Sequence, residues 1–301
     1  MELAKYQRKN KVNFKHLINL ESVIESDICE IISLAKELKE KRLVLEDHKT
    51  LNDKYILMIT KPTIVGMDTA FQIAVKELGG MPIINSLSGE LLETCLQDEA
   101  YIKTLAVYGL SAVAVSTSKI SDSSALEKYI NVPVINSNNE NSPCTALAGI
   151  MTILETKKDI KNLKVVIVGD LNIEDYSIMT GLAKFGADIT LLPTNNSTPN
   201  EHAIRYSSQF GEVKVEKDKK LALKNADFIY LLKNGENDNV YIDEDDLSLC
   251  PNAYVLGVTP CDKTLVSSSV IQGERSLVYK QAENLLHIGK AILSLLVCKN
   301  R

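Results

Sequence analysis

The stretch LKVVIVGDLN, residues 163–172, decides the fold class of this chain. Its run of β-branched and apolar residues indicates a strand buried on both faces, and the pair Gly169–Asp170 at its end indicates a tight turn. A helical pattern, YSIMTGLAKFG (176–186), and a second strand pattern, ADITLLPT (187–194), follow it. Strand, helix and strand in this order predict a parallel sheet covered by helices.

The same alternation extends in both directions along the chain. Further buried strands are predicted at YILMI (55–59), SAVAVST (111–117), VPVINS (132–137) and AYVLGVTP (253–260), with helical patterns between them. The polar segment NSNNENSP, residues 136–143, indicates a boundary between two halves. We therefore predict an α/β protein with two doubly wound parallel-sheet domains, residues 1–140 and residues 141–280.

Composition limits the kind of partner. The chain has 301 residues, of which 45% are hydrophobic and 24% charged, and its net charge is −5. This net charge argues against nucleic acid or an anionic membrane as a partner, because both are themselves negative. The chain has no apolar run long enough to cross a membrane and no apolar stretch typical of a signal peptide. A cytoplasmic protein is the expectation.

Motifs for metals and cofactors are missing from the sequence. The six cysteines form no CxxC pair, and the four histidines are scattered. The turn GDLN, Gly169 to Asn172, follows a strand as nucleotide-binding turns do, but it is not GxGxxG, and no Walker loop is present. We therefore interpret GDLN as a tight strand-to-helix turn and expect neither a metal nor a cofactor.

Several separate motifs resemble those of one family in the same order. They are FQIAVKELGG (71–80), SPCTALAGIMTILE (142–155), NLKVVIVGDLNIEDYSIM (162–179), LGVTP (256–260) and SLVYKQAENLLHIGKAIL (276–293). Together they resemble the aspartate/ornithine carbamoyltransferase family, its ornithine branch most closely, from about Asn13 to Lys299. The resemblance implies the family's two α/β domains with a cleft between them, the C-terminal helix 281–301 packing back on the first domain, and a trimeric assembly.

That family transfers a carbamoyl group from carbamoyl phosphate to an amino group, which requires cations for the phosphate and donors for the developing oxyanion. The resemblance places the family's phosphate-site positions on Thr63, Ile64, Val65, Gly66, Met67, Asp68, Ser116, Ser142, Thr145 and Leu285. It places the amino-acid-site positions on Ile173, Leu232 and Val258. No arginine, lysine or histidine occupies any of these positions. The chain therefore resembles a divergent member of the family, one that lacks the substrate-binding motifs.

Other family positions are retained. They are Pro143, Gly169, Asp170, Pro260, Glu283 and Asn284. These are turn, packing and helix-end residues, which indicates that the scaffold persists where the ligands do not. Each charge-assisted hydrogen bond contributes about 1.5–3 kcal/mol, so the loss of several would remove more affinity than a helix N-terminus restores.

Three hypotheses about function follow. The first, which we prefer, is a catalytically silent homologue with a ligand-binding or assembly role, as a homotrimer or together with an active paralogue. The second is an enzyme with a changed substrate and new residues. The third is carbamoyl transfer to the amino group of an amino acid or amine through ligands elsewhere. No catalytic residue is assigned by any of the three.

Candidate reactive and binding residues can be named for the second hypothesis. Cys261 is a candidate nucleophile with His287 as its base. The alternative is that Cys261 is a buried thiol and His287 a structural residue. Lys61 and Thr63 could bind an anion weakly at the start of a helix. The alternative is that they lie in a solvated turn and bind nothing. Three carboxylates could attract a neutral or cationic ligand: Asp68, Glu236 and Asp262. The alternative is that they are solvated surface groups.

Overall fold

The computed structural model describes residues 6–60, 65–87, 89–116, 120–137, 142–173, 176–194, 197–233, 240–258 and 261–298. The chain divides into two compact units. Unit 1 comprises Met1–Ala148 and Glu283–Arg301, and unit 2 comprises Gly149–Ala282. The division therefore follows Ala148, later in the chain than the boundary at 140/141 that the polar segment suggests.

Unit 1 is built on a four-stranded parallel sheet. Its elements are α1 (Glu25–Leu43), β1 (Tyr55–Thr60), α2 (Val65–Glu77), β2 (Met81–Ser86), α3 (Gly89–Gln97), α4 (Glu99–Ala106), β3 (Ala112–Ser116), α5 (Ile120–Tyr129) and β4 (Val134–Asn136). The strand order is β2-β1-β3-β4. All three pairings are parallel, as the alternation of strands and helices predicts.

Helix α1 packs an apolar face into unit 1 and carries charges that suit its two ends. Its buried residues include Ile28, Ile31, Ile32, Ala35 and Leu38, which recur at helical spacing and form one apolar face. Acidic residues stand in its first turn and basic residues in its last turn, an arrangement that complements the helix dipole. The central strands β1 and β3 are buried along almost their whole length, whereas β2 is largely exposed at the edge of the sheet.

Unit 2 contains the five-stranded parallel sheet that LKVVIVGDLN begins. Its elements, from the helix that starts in unit 1 to the one that ends there, are α6 (Pro143–Lys157), β5 (Lys164–Gly169), α7 (Ser177–Lys184), β6 (Asp188–Pro193), α8 (Glu201–Ser207), β7 (Val213–Val215), α9 (Lys219–Leu223), β8 (Phe228–Leu231), α10 (Glu244–Leu247), β9 (Tyr254–Gly257), α11 (Ser268–Gln272) and α12 (Val278–Val297). The strand order is β7-β6-β5-β8-β9. The predicted class, two doubly wound parallel-sheet domains, is confirmed.

The part of α12 from Glu283 onward belongs to unit 1 and packs on α2 and on the segment before β1. Gly289 lies against the ring of Phe71, so that a Cβ at this position would stand 3.2 Å from Cε2 of the ring. Lys290 Nζ donates to Glu77 Oε2 at 3.0 Å, and the hydroxyls of Thr50 and Ser294 are 3.0 Å apart. Among the described residues, no helix is both long and apolar enough to cross a membrane.

Candidate functional site

Each sheet has one place where its strand order reverses, and ligands of such sheets bind outside the carboxyl ends of the strands at that place. In unit 1, β2 lies on one side of β1 and β3 on the other, so the reversal falls between β1 and β3. The last residues of these strands, Thr60 and Ser116, are register partners. Both side chains are buried. This pair marks the candidate site of unit 1.

Neutral side chains also end the next strand of unit 1. Asn136 closes β4, and the hydroxyl of Ser137 donates to the carbonyl of Val115 at 3.3 Å. Asn136 Nδ2 donates to the carbonyl of Ile18 at 3.0 Å. Both side chains are buried. These contacts attach the strand end to neighbouring backbone.

Helix α2 begins at the same edge, after β1. Its first turn contains Asp68, whose side chain is almost fully buried. A carboxylate here is favourable for the helix dipole, but it also puts a negative charge where an anion would dock. Val65, Gly66 and Met67 form the backbone of this first turn. Lys61, Thr63 and Ile64 lie outside the described residues.

Helix α6 begins with a capping arrangement that uses two of the predicted site residues. Ser142 Oγ accepts from the backbone N–H of Thr145 at 3.3 Å, and the two hydroxyl oxygens are 3.1 Å apart. Pro143 occupies the first helical position, where its missing N–H costs nothing. Cys144 Sγ donates to the carbonyl of Asn136 at 3.3 Å. Both hydroxyls are buried and serve the helix end.

The remaining unit 1 positions lie on α12. Leu285 is buried in the core of the unit, where its side chain can offer only apolar contact. Its neighbours Glu283 and Asn284 both bind Lys39 of α1: Lys39 Nζ lies 3.1 Å from Glu283 Oε2 and donates to Asn284 Oδ1 at 2.7 Å. These two residues therefore connect α12 to α1.

In unit 2 the strand order reverses between β5 and β8, at Gly169 and Leu231. Gly169 has a φ of 140°, and a Cβ there would stand 2.6 Å from the carbonyl oxygen of Lys233. The N–H of Asp170 donates to that same oxygen at 2.7 Å, and Asp170 Oδ1 accepts from the N–H of Asn172 at 2.8 Å. The turn GDLN is thus held by the carbonyl of Lys233 after β8 and by the side chain of Asp170.

The predicted amino-acid-site residues of unit 2 are apolar. Leu232 is buried beside this turn, and Ile173 and Val258 are half-buried. Pro260 and Glu236 lie outside the described residues. Asp262 Oδ1 accepts from both the N–H and the hydroxyl of Thr264, at 2.9 and 2.7 Å, within its own loop.

Unit 2 contains a buried polar group that the sequence patterns did not predict. Gln281 Nε2 donates to the hydroxyl of Tyr230 at 3.0 Å, and Gln281 Oε1 accepts from the N–H of Gly257 at 3.1 Å. Tyr230 and Gln281 are both buried. A tyrosine inside the apolar strand FIYL was the available signal, because a buried Tyr hydroxyl requires a partner.

The thiol chemistry considered for Cys261 is not favoured. Cys261 packs against the core of unit 2, and burial raises the pKa of its thiol to about 11. A thiol with this pKa is almost entirely protonated at neutral pH and is a poor nucleophile. Burial, followed by Lys290 and Lys39, lowers the pKa of His287 to about 4. Within the described ranges, no group of three or more His, Cys, Asp or Glu side chains could hold a metal ion.

Comparison with known proteins covers nearly the whole chain. A family model described as "Aspartate/ornithine carbamoyltransferase, carbamoyl-P binding domain" matches residues 15–155. A second, described as the "Asp/Orn binding domain" of the same family, matches residues 161–296. The reversal points of both sheets lie inside these two ranges.

Named relatives agree with the family models. The chain is 30% identical over 310 residues to ornithine carbamoyltransferase of Methanococcus aeolicus, a match that covers 94% of this chain and 100% of that protein. It is 29% identical to the Pyrococcus abyssi enzyme, over 94% of this chain and 96% of that one. The structure of ornithine carbamoyltransferase from Pyrococcus furiosus aligns with a TM-score of 0.87 at 27% identity, covering 95% and 98% of the two chains. The chain belongs to the aspartate/ornithine carbamoyltransferase family.

Proposed function

We propose that this chain is a member of the family without ordinary carbamoyl phosphate-dependent activity, and that its scaffold serves ligand binding or assembly. The observation that carries the proposal is the chemistry at the reversal point of unit 1. Thr60 and Ser116 end the strands there, and Asp68, Ser142 and Thr145 stand at the helix starts. Each of these side chains is neutral or acidic.

A phosphate leaving group requires more than these residues supply. Phosphate carries nearly two negative charges and is normally held by arginine or lysine through charge-assisted hydrogen bonds. The hydroxyls of Ser142 and Thr145 already serve the start of α6. Loss of about three charge-assisted contacts removes roughly 6 kcal/mol, or more than four powers of ten in affinity. Asp68 adds repulsion at the start of α2.

Calorimetry with carbamoyl phosphate tests the proposal, followed by an assay for ureido product with ornithine and with aspartate as acceptors. We expect neither heat nor product at millimolar concentrations. Ornithine carbamoyltransferase from Pyrococcus furiosus, measured under the same conditions, is the positive control. Micromolar binding or measurable turnover would overturn the proposal.

A second candidate function is active carbamoyl transfer to the amino group of an amino acid or amine. Its support is that the relatives named ornithine carbamoyltransferase match over 94% of this chain. Two lysines could replace the missing cations, since Lys61 directly follows β1 in the sequence and Lys119 follows β3 by three residues. Both lysines lie outside the described residues.

The second candidate makes a distinct prediction about these lysines. If turnover is found, Lys61→Met and Lys119→Met should each lower kcat/KM by about two powers of ten, as loss of one charged contact of about 3 kcal/mol requires. Lys217→Met, at an exposed position of unit 2, is the matched control and should retain activity. Full activity in both site variants would remove this explanation for the missing arginines.

We also propose that the chain forms a homotrimer or joins an active paralogue in a mixed oligomer. Strand β2 supports this proposal, because it lies at the edge of its sheet and exposes Met81, Ile83 and Ile84. An unpaired edge strand with apolar side chains is a surface that another chain commonly covers.

A further inference from the structure

A separate pocket of about 510 Å³ lies within unit 1, away from the reversal point of its sheet. It is lined by the end of α1, the segment that follows α1, the end of α2 and one face of α12. Its volume is within the range of roughly 300–1,000 Å³ that is usual for small-molecule sites. None of the predicted phosphate-site residues lines it.

The deeper part of the pocket carries an excess positive charge. Lys290 is 5% exposed, and its ammonium donates to Glu77 Oε2 at 3.0 Å. The other oxygen of Glu77 accepts from Arg42 Nε at 2.9 Å, so both oxygens of this carboxylate are occupied. Lys39, also largely buried, is the second deep cation. Lys39 Nζ also lies 3.1 Å from Glu283 Oε2. The three cations Lys39, Arg42 and Lys290 and the two carboxylates Glu77 and Glu283 leave one positive charge in this part.

His287 gives an independent indication of a ligand. Its side chain lines the pocket and is 1% exposed. Its Nδ1 atom is buried and has no hydrogen-bond partner in the part of the chain that the structure describes. A buried polar atom left without a partner costs about 1–3 kcal/mol. A ligand atom that hydrogen-bonds to Nδ1 would remove that cost.

The outer part of the pocket has the opposite charge and an apolar wall. The carboxylates of Glu46 and Asp47 stand here with the cation of Lys49, which leaves one negative charge among the side chains that line this part. Leu43 and Leu45 also line this part. Leu45 is 91% exposed, so most of its side chain has no contact within unit 1.

We propose that this pocket binds a free α-amino acid with an apolar side chain. The carboxylate of the amino acid accepts hydrogen bonds from Lys290 and from Nδ1–H of the neutral His287 imidazole. Its ammonium group lies near Glu46 and Asp47, and its side chain covers Leu43 and Leu45. The separation of a positive interior from a negative rim matches the separation of charge in a zwitterion. This site goes beyond the function proposed above and does not depend on it.

Calorimetry with three matched compounds tests the match to a zwitterion. L-Leucine carries both charges, L-leucinamide lacks the carboxylate, and 4-methylpentanoate lacks the ammonium group. We expect L-leucine to bind at millimolar concentration or below, and each analogue to bind at least about tenfold more weakly. Absence of heat with L-leucine at about 10 mM would overturn the proposal, as would equal binding of 4-methylpentanoate.

Variants test the location of the site. His287→Gln and Lys290→Met should each weaken L-leucine binding by about tenfold or more, the amount expected for one hydrogen bond to a charged group. His202→Gln changes an exposed histidine of unit 2 and should have no effect. Unchanged binding in His287→Gln would place the ligand elsewhere and overturn the proposal.

Two measurements keep the test independent of variant folding and of carbamoyl transfer. In the unmodified protein, L-leucine should shift the NMR nitrogen resonance of His287 Nδ1, and a resonance that does not move at saturation would contradict the proposal. L-Leucine binding should also be the same with and without about 5 mM carbamoyl phosphate and ornithine. Competition by either compound would place L-leucine at the reversal points of the sheets instead of this pocket and would overturn the proposal.

Discussion

Glu30 is a buried carboxylate of α1 that holds the N-terminal segment of the described chain. Its two oxygens accept from the hydroxyl of Tyr6 at 2.9 Å and from the backbone N–H groups of Lys9 and Asn10 at 2.6 and 3.0 Å. Arg8 Nε lies 3.4 Å from Oε1. Burial and the nearby Glu30 carboxylate raise the pKa of Tyr6 far above its usual range, which keeps its hydroxyl protonated as a donor. One side chain thus satisfies four donors.

Replacement of Glu30 should therefore be strongly destabilising. We expect Glu30→Ala to lower the free energy of unfolding by about 3 kcal/mol or more, because the hydroxyl of Tyr6 and the N–H groups of Lys9 and Asn10 lose their common acceptor. Glu40→Ala, at an exposed position of the same helix, should change it by less than about 0.5 kcal/mol. Urea unfolding followed by circular dichroism measures both. Equal effects would show that Glu30 does not anchor the segment.

His287 makes stability depend on pH. Burial is the largest cause of its low pKa, about 4, and the positive charges of Lys290 and Lys39 are the next largest. The charged or titratable groups that line the pocket with it are Lys39, Arg42, Glu46, Asp47, His48, Lys49, Glu77, Glu283 and Lys290. Since the folded state binds a proton less readily than the unfolded chain, His287 favours folding above pH 6.5 and loses this contribution as pH falls toward 4.

We therefore expect His287→Gln to flatten the loss of stability between pH 6.5 and about 4. The full contribution is at most about 3 kcal/mol, since each pKa unit corresponds to about 1.4 kcal/mol. The measurement is the free energy of unfolding at pH 7.0 and pH 4.5 for both proteins. The exposed His202, changed in the same way, should leave the difference between the two pH values unaltered. A difference unchanged in His287→Gln would contradict this assignment.

At the scale of elements, the turn after β5 depends on Gly169. Its φ of 140° is rarely adopted by residues with a side chain, and an added Cβ would also stand 2.8 Å from Leu232 Cβ and 2.6 Å from a backbone oxygen. Neither neighbour is the end of a flexible side chain, so the strand end or the segment after β8 must shift. At the reversal point of unit 2, the backbone at Gly169 therefore lies directly against the segment after β8.

A matched pair of glycine variants separates backbone strain from this clash. Gly109 also has a positive φ, of 72°, but a Cβ there would meet nothing within 4 Å. We expect Gly109→Ala to cost about 1 kcal/mol from the left-handed backbone alone. Gly169→Ala should cost about 3 kcal/mol or more, because overpacking adds to that strain. Thermal unfolding compares the two variants, and similar costs would mean that the turn relaxes freely.

The elements that sequence patterns predicted well are those buried on both faces. The run at 55–59 became β1, Tyr55–Thr60, and the opening stretch became β5 with its turn at Gly169. The short strand β7, Val213–Val215, has only three residues and no distinct apolar run, so no pattern indicated it. The roles of Ser142 and Thr145 were not predictable either, because their mutual hydrogen bond depends on how α6 starts.

At the scale of the whole molecule, the order of the motifs predicted the family, because each of them lies at a turn, strand end or helix start of the fold. The pocket around His287 was not predictable in the same way. Its residues come from three separate segments, Lys39 to Lys49, Glu77 and the face of α12 from Glu283 to Lys290, and only folding brings them together. The signal in the sequence is a histidine in an apolar helix pattern, which by itself is more typical of a structural residue than of a binding site.

Assembly is the property of the whole molecule that the exposed edge of unit 1 predicts. Met81, Ile83 and Ile84 of β2 are 48%, 38% and 47% exposed, and the edge of this strand opposite β1 forms no ladder with another described strand. Burial of such side chains in a subunit contact contributes about 25 cal/mol per Å² of apolar surface. If this edge mediates the proposed homotrimer, light scattering coupled to size-exclusion chromatography should give a mass about three times that of the 33.3 kDa chain.

A charge on the exposed edge should break that assembly. We expect Ile84→Lys to shift the mass to that of a single chain, because a lysine on an edge strand opposes pairing with a second chain. Phe210→Lys is the matched control, since Phe210 is a similarly exposed apolar residue in unit 2 and should leave the mass unchanged. A single-chain mass in the unmodified protein would contradict the homotrimer. In that case a mass increase on mixing with an active paralogue would support the hetero-oligomer, because the same apolar strand would then be covered by a different chain.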